Sequence, residues 1–250
     1  MLADLLAGRR LVVTAHRPGL VCTLTDGEWS WEVLLGARGL CITPGLTVVA
    51  NGFLRHADGS LVETGLAMPH EMAASGDGWL VTSRDGLFQL EPDGTTTLVR
   101  DPGAPSEWLN GISRDGSLLT VLGQHESNWH DAVANGLLTT RDGTVLRDGL
   151  LGPHSPRGNP QDYWLLESGH GRLWHNDTVV TTVPGWTRGL CLLDGHALVG
   201  VSELRSSVYA GKATVPLDAD AGVAVIDLST GEQVHFEPLS VAEVFDLDVA

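Results

Sequence analysis

The sequence predicts an all-β protein, a six-bladed β-propeller that residues 1–250 form as a single domain. Three observations predict this fold: Asp-Gly turns between short apolar segments, six similar stretches at blade spacing, and no sustained 3.6-residue apolar period. A β-sandwich or barrel is the alternative, but neither carries an equally spaced repeat. A chain of this length can bury the core of a large single domain.

Asp-Gly dipeptides, which favour turns, recur along the chain. Asp-Gly between alternating apolar residues is a strong hairpin signal, because the type I′ turn needs φ > 0 at both central positions. Antiparallel strands are therefore expected on both sides of these turns. The nine dipeptides begin at Asp26, Asp58, Asp77, Asp85, Asp93, Asp115, Asp142, Asp148 and Asp194.

Six short stretches can be laid over one another, and two of them, starting at Arg38 and Arg188, share the sequence Arg-Gly-Leu-Cys. Their intervals of about 30 to 55 residues suit four-stranded blades, with an insertion at 205–220. Each stretch is expected to be the innermost strand of one blade. The six stretches begin at Arg38, His70, Asn110, His154, Arg188 and Glu243.

The ring is expected to close through the two ends of the chain. Residues 241–249 would supply the innermost strand of the last blade, and residues 10–35 its remaining strands. This arrangement removes free strand edges at the closure.

Composition limits the classes of molecule that this protein is expected to bind. The formal net charge is −16, which argues against nucleic acid and anionic membranes, since both need clustered cations. The start of the chain lacks the pattern of a signal peptide, and three cysteines without a CxxC pair indicate buried, reduced thiols. We therefore expect a cytoplasmic protein, a monomer or weak homo-oligomer, with a small anionic substrate as its partner.

A family resemblance covers Leu66 to Val249. Its marks, in order, are Leu109-Asn110-Gly111, Pro153 to Arg157 (Pro-His-Ser-Pro-Arg), Ser168-Gly169, Pro184 to Leu190 with its Thr-Arg-Gly-Leu, Val199 to Ser202, and Glu243 to Asp246. The segment resembles a bacterial propeller-like family without an assigned activity. More distantly, the architecture resembles the six-bladed lactonase and strictosidine-synthase-like propellers, whose calcium-binding Glu/Asn/Asn/Asp set is not recognisable in this sequence.

The first residues of the six stretches should converge on the central channel, because innermost strands line it. His70 and His154 could exchange protons near neutral pH, and Asn110 could donate to a developing oxyanion. Arg38 and Arg188 suit the capture of a carboxylate. Glu243 could act as a base or pair with an arginine.

A metal site is the second possibility for these residues. His70, His154 and Glu243 form a possible set for one divalent metal ion, although their spacing follows from the fold and not from a local motif. The loop His125 to Asp131 has the composition of a metal site but is expected to be a polar loop near the mouth. Further candidates for substrate binding around the mouth are Arg157, Glu71, Glu167, Ser202, Trp108 and Trp186.

These residues favour an enzyme that acts on a small carboxylate-bearing metabolite by non-redox acid–base chemistry, as a hydrolase, lyase or cyclase. Two alternatives stay open: a non-catalytic binding or accessory module, and a metal-dependent hydrolase or oxygenase. A third hypothesis holds that the channel residues form a hydrogen-bonded plug without a ligand.

Overall fold

A computed structural model of the protein describes residues 1–43, 45–101, 106–125, 135–203, 212–216 and 218–250. The described chain forms six four-stranded antiparallel sheets, and the innermost strands of neighbouring sheets contact one another around a closed ring. The predicted six-bladed β-propeller is therefore confirmed. A short helix, α1 (Leu2–Leu6), precedes the first strand.

Blades 1 to 3 follow one another along the chain, each from its innermost to its outermost strand. Blade 1 contains β4 (Ala37–Cys41), β5 (Thr47–Ala50), β6 (Phe53–Arg55) and β7 (Leu61–Glu63). Blade 2 contains β8 (Pro69–Ser75), β9 (Gly78–Ser83), β10 (Gly86–Leu90) and β11 (Thr96–Arg100). Blade 3 contains β12 (Ser106–Ile112), β13 (Leu118–His125), β14 (Gly136–Thr140) and β15 (Val145–Leu150).

Blades 4 to 6 complete the ring. Blade 4 contains β16 (Pro153–Asn159), β17 (Asp162–Glu167), β18 (Arg172–His175) and β19 (Thr178–Thr182). Blade 5 contains β20 (Trp186–Leu193), β21 (His196–Ser202), β22 (Gly222–Asp227) and β23 (Gln233–Pro238). Blade 6 joins β24 (Glu243–Val249) to β1 (Leu11–Arg17), β2 (Leu20–Thr25) and β3 (Glu28–Val33).

Blade 6 closes the ring as the sequence predicts. Strand β24 is its innermost strand and pairs antiparallel with β1, with Leu247 opposite Val13 and Val249 opposite Leu11. The side chains of Val13, Leu11 and Leu247 are buried in one apolar cluster with residues of blade 5. The two chain ends are thereby fixed within one sheet.

Two structural types occur among the Asp-Gly turns. Asp26-Gly27 and Asp194-Gly195 have positive φ at both residues, as the type I′ turn requires. At Asp58, Asp93 and Asp142 the side-chain Oδ1 instead accepts the backbone N–H two residues later. In these turns only the glycine has a positive φ, so the acidic side chain stabilises the turn through an Asx-type hydrogen bond.

Glycine allows neighbouring blades to approach closely beside the channel. A Cβ at Gly39 would lie 2.4 Å from the carbonyl oxygen of His70 in blade 2. A Cβ at Gly189, where φ is +74°, would lie 2.8 Å from the backbone nitrogen of Leu247 in blade 6. The repeated Arg-Gly-Leu-Cys sequence therefore places a polar side chain next to a residue that packs directly against the next blade.

The apolar core lies between adjacent blades, where alternate strand residues are buried in several clusters. Cys22, Cys41 and Cys191 are buried and reduced, which agrees with the sequence prediction. Burial raises the pKa of Cys22 to about 12, so its thiol is unreactive. No helix within the described ranges has the length and apolar character needed to cross a membrane.

Candidate functional site

Each innermost strand carries a β-bulge, and the bulges define the true register of the six stretches. The bulged residues are 38–39, 70–71, 108 and 110, 155–156, 188–189 and 245. In two blades the first residue of the predicted stretch does not lie at the bulge. His154 lies one residue before the bulge of blade 4, and Glu243 lies two residues before that of blade 6. Ser155, with φ of 51°, and Phe245 occupy the bulges instead.

Phe245 is the centre around which the predicted polar residues gather. The guanidinium carbons of Arg38 and Arg188 lie 5.1 Å and 5.0 Å from the centroid of its ring. The ring centroid of His70 lies 5.5 Å from the same point. Residues from blades 1, 2 and 5 therefore converge on one aromatic side chain of blade 6. We call this group, together with His154 and Glu243, the mouth cluster.

His70 and His154 are held by matching hydrogen bonds to their own strands. Nδ1 of His70 donates to the carbonyl oxygen of Met68 (3.0 Å), and Nδ1 of His154 donates to that of Gly152 (2.9 Å). Met68 and Gly152 both have positive φ, which turns each carbonyl toward the imidazole two residues later. A carbonyl oxygen only accepts, so the proton is placed on Nδ1 and the lone pair on Nε2.

Ser168 fixes the tautomer of His154 a second time. Its Oγ donates to the carbonyl oxygen of Thr187 (2.5 Å) and therefore accepts from Nδ1 of His154 (2.7 Å). Within the described residues, no side chain or backbone group forms a hydrogen bond with Nε2 of either histidine. Each Nε2 lone pair is thus left as an acceptor on the side of the ring away from its own strand.

Both histidines are neutral at physiological pH. Burial lowers the pKa of His70 well below its ordinary value, and the charges of Arg38 and Arg188 lower it further. Burial also lowers the pKa of His154, with a second contribution from Arg188. Because an imidazolium is disfavoured beside two guanidinium groups, each histidine can accept a proton but holds none on Nε2 to donate.

Arg188 forms a buried ion pair with Glu243 in the mouth cluster. Its Nη1 donates to Oε1 of Glu243 at 2.5 Å, and its side chain is only 8% exposed. Its Nε is buried and forms no hydrogen bond with any described residue. Glu243 also lies 3.8 Å from Nε of Arg17, whose side chain is largely exposed. One carboxylate thus lies between two guanidinium groups, and the second donor edge of Arg188 is unused.

Arg38 is oriented by His16, which lies on β1, the strand next to the innermost strand of blade 6. Nη2 of Arg38 lies 3.4 Å from Nε2 of His16, and the His16 ring lies 5.9 Å from that of Phe245. His16 was not predicted as a site residue, because it falls outside the six stretches. Phe245 could have been noticed in the sequence as an aromatic residue in the last of the six stretches, but it did not fit the pattern of polar residues.

Trp108 and Trp186 support the two histidines from the next blade along the ring. The Trp108 ring meets His70 edge-on at 5.9 Å, and the Trp186 ring meets His154 edge-on at 6.1 Å. Both indoles are buried in one apolar cluster with Leu151. They form the wall that holds the imidazoles and are not exposed on the rim.

A second level of charged residues lies deeper in the channel. Arg157 lies 3.6 Å from Glu71 and 3.4 Å from Asp246, and its Nε donates to the carbonyl oxygen of Leu190. Glu71 accepts hydrogen bonds from Ser155 Oγ and from the backbone N–H of Ile112. Glu71 and Arg157, predicted at the mouth, therefore belong to this inner network, which closes the channel below the mouth cluster.

Glu71 is a titrating group in the middle of that network. Burial raises the pKa of its carboxyl to about 7, helped by the negative charge of Asp246. Arg157, the Ser155 hydrogen bond and Arg114 lower it by less. The network thus holds a proton near neutral pH that an exposed glutamate would release.

Arg114 closes the opposite end of the channel, and sequence reasoning missed it. Its guanidinium donates to the carbonyl oxygens of Leu40, Met72 and Leu247, one in each of three innermost strands. It also pairs with Asp246 and Asp248. It lies in the turn after β12, and nothing in a serine–arginine–aspartate turn distinguishes it from an exposed one.

Three predicted site residues form hydrogen bonds within or between blades. Asn110 Nδ2 donates to the carbonyl oxygen of Pro153, and Ser202 Oγ donates to that of Val244. Glu167 accepts hydrogen bonds from the backbone of Leu151 and from Nε1 of Trp174. Asn110 links blade 3 to the residue that precedes His154, so its contacts fit a positioning residue better than an oxyanion donor.

The predicted metal set is not assembled. The described residues contain no group of three or more His, Cys, Asp or Glu side chains that could hold a metal ion. Glu243 is engaged by Arg188, and two positive guanidinium groups adjoin His70, which opposes a divalent cation at this position. The His125 to Asp131 loop, also considered for metal binding, lies outside the described residues apart from the backbone of His125.

The geometry of the mouth can bind an anion and accept protons. Buried arginine favours carboxylate, and the open donor edge of Arg188 offers a direct hydrogen bond. Two neutral imidazoles supply bases whose proton-accepting atoms are not used by the described protein. In the inner network below it, Arg157 is paired with Glu71 and Asp246.

Comparisons with known structures agree with this fold. One chain from the crystal structure of a nidogen/laminin complex superposes with a TM-score of 0.66 at 12% identity, covering 97% of this chain and 98% of that chain. A protein of unknown function from Bacteroides caccae gives 0.62 at 14% identity, covering 97% and 98%. A luciferin-regenerating enzyme gives 0.61 at 12% identity, covering 84% and 78%. Identities this low establish the fold alone.

Sequence comparison assigns the family. No curated protein sequence matches the chain. Residues 108–250 match a family model described as a domain of unknown function, DUF4915. That segment is more than half of the chain, and it includes four of the six innermost strands together with His154, Arg188, Glu243 and Phe245. The chain therefore belongs to the DUF4915 family.

Proposed function

We propose that this protein is an enzyme that binds a small carboxylate-bearing metabolite at the mouth cluster and acts on it by non-redox acid–base chemistry. One observation carries the proposal. Arg188 is buried with an unused Nε donor, beside two neutral histidines whose Nε2 atoms are unused within the described chain. Buried polar atoms without partners are costly, so a ligand that satisfies them gains affinity.

The arginines would hold the substrate. A carboxylate oxygen can accept from Nε of Arg188 while Nη1 keeps its contact with Glu243. Arg38 lies on the same phenylalanine ring and adds a second positive charge. An anion at this position also offsets the repulsion between the two guanidinium groups, which makes its binding favourable in a buried site.

The histidines would move the proton. Because Nε2 is unprotonated, the first step is abstraction of a proton from the substrate by His70 or His154. A bound anion raises the pKa of the imidazoles again, so the histidine that received the proton can return it to another substrate atom. This sequence fits elimination, isomerisation or ring closure. Hydrolysis would need a water molecule as the proton donor.

The test combines an activity screen with matched variants. The purified protein is incubated in D₂O with a panel of 2-oxo, unsaturated and hydroxy carboxylates and their lactones, and proton NMR follows deuterium uptake or conversion. Once a substrate is found, His70→Gln and His154→Gln should lower kcat by about 10²- to 10⁴-fold. His196→Gln, which changes a turn histidine away from the channel, is the control.

Arginine variants test the binding half. Arg188→Met should weaken carboxylate binding at least tenfold, whereas Arg84→Met, which changes an exposed arginine in a surface ion pair, should not. Full turnover in both histidine variants would overturn the acid–base mechanism. Carboxylate binding that depends on Arg188 without any turnover would instead support the binding-module alternative.

A further inference from the structure

The two histidines restrict which carboxylates fit the mouth, and this inference rests on the proposed function. In both, Nδ1 donates to the carbonyl oxygen two residues earlier, so Nε2 can only accept. The arrangement occurs twice, in blade 2 and in blade 4, each time with a positive φ at the first residue of an X-Pro-His sequence. The Nε2 atoms of His70 and His154 are therefore two hydrogen-bond acceptors beside Arg38 and Arg188, whose guanidinium groups can only donate.

An acceptor needs a donor from the ligand. A plain carboxylate offers only acceptor oxygens, which suit Arg188 and Arg38 but not Nε2. An ammonium group could donate to Nε2, but the two neighbouring guanidinium groups repel a cation. A hydroxyl group donates, carries no charge and can be deprotonated by the same nitrogen.

We propose that the ligand of the mouth cluster is a hydroxy-carboxylate, with its carboxylate on Arg188 and Arg38 and its hydroxyl groups donating to Nε2 of His70 and His154. The neighbouring tryptophans hold both imidazoles edge-on and keep their acceptors in place. Selection against an analogue without a hydroxyl comes from the Nε2 lone pair that such an analogue leaves unpaired.

The tautomer can be measured without a ligand. Long-range ¹H–¹⁵N correlation spectra of the full chain at pH 7 should show His70 and His154 neutral with the proton on Nδ1, assigned by His70→Gln and His154→Gln. Histidines protonated on Nε2, or doubly protonated, would overturn the inference because their Nε2 would then be a donor.

Affinity is measured by NMR or calorimetry with three probes of one carbon skeleton: propionate, lactate and glycerate, which carry zero, one and two hydroxyl groups. Affinity should rise about three- to tenfold per hydroxyl, the range for one neutral hydrogen bond. His154→Leu or His70→Leu should lower the ratio of glycerate affinity to propionate affinity, measured within the same variant, by one such step. The circular dichroism spectrum and cooperative unfolding of each variant establish that it folds.

The outcomes separate the two proposals. Equal affinity for all three probes, lost in Arg188→Met, would refute the hydroxyl requirement and keep the carboxylate site. A hydroxyl-dependent gain in affinity that both histidine variants retain would also refute it. Absence of binding for all three probes would count against the proposed function itself.

Discussion

Replacement of Glu71 by glutamine should change the pH dependence of folding. Glu71 lies in the inner network, where burial and Asp246 raise the pKa of its carboxyl from 4.5 to about 7. In the unfolded chain it releases its proton near the ordinary value, whereas the folded protein keeps the proton until about pH 7. The stabilisation from this proton is therefore complete below pH 4.5 and is lost as the pH rises through 7.

The size of the effect follows from the shift. Each pKa unit corresponds to about 1.36 kcal/mol, so a rise from 4.5 to about 7 gives about 3 kcal/mol between pH 4.5 and pH 8. Glutamine cannot titrate, so the variant lacks this loss. Arg157 keeps its ion pair with Asp246, and we therefore expect Glu71→Gln to fold.

The assay is urea unfolding followed by tryptophan fluorescence at pH values from 4.5 to 8.5. The useful quantity is the free energy of unfolding of Glu71→Gln minus that of the wild type, because contributions of other titrating groups largely cancel. This difference should rise by about 3 kcal/mol across the window. Glu28→Gln, which removes an exposed carboxylate from β3, controls for a change in surface charge. A difference that stays flat or falls with pH would refute the assignment of the proton to Glu71.

Three further substitutions test other parts of the structure. His154→Gln should reduce the loss of stability below pH 6.5 in urea unfolding, because the lowered pKa of His154 means that the unfolded chain binds a proton there that the folded protein does not; equal acid sensitivity in variant and wild type would contradict this. Glu167→Gln should destabilise the fold by about 1–3 kcal/mol, since it removes an acceptor for Leu151 or Trp174, yet leave carboxylate binding intact; lost binding in a folded variant would return Glu167 to the site. Gly189→Ala should cost about 2 kcal/mol or more in thermal unfolding, because its φ is +74° and the added Cβ meets the backbone of blade 6; a wild-type Tm would show that the blades separate easily.

Repetition made the fold predictable, because six stretches at blade spacing specify both the number of blades and the closure through the chain ends. The same repetition could not specify the register at the channel. Ser155 adds a residue with positive φ in blade 4, and Phe245 places an aromatic ring where the pattern led us to expect a polar group. These one-residue shifts arise from β-bulges. A bulge is visible in the pairing of the strands but leaves no mark in the pattern of residue types.

Side-chain direction was equally hard to predict. Glu167 and Ser202 stand at the ends of channel-adjacent strands, but their oxygens bond to groups within or between blades. Arg114 closes the channel from a turn that resembles the surface turns of the same protein. A residue's place along a strand is readable from the sequence, whereas the partner of a long polar side chain depends on which neighbouring carbonyls remain unused.

The two levels of the channel separate two explanations that the sequence left as competitors. A hydrogen-bonded plug accounts for the inner level, where Arg157 pairs with Glu71 and Asp246 and Arg114 bonds to carbonyl oxygens of three innermost strands. It does not account for the mouth, where Nε of buried Arg188 forms no hydrogen bond with the described part of the chain. It also gives no reason for two histidines whose lone pairs turn away from their own strands. Because Arg188, His70 and His154 are buried, a hydrogen bond that a ligand forms with them lies in a region of low dielectric constant and is therefore stronger than in water.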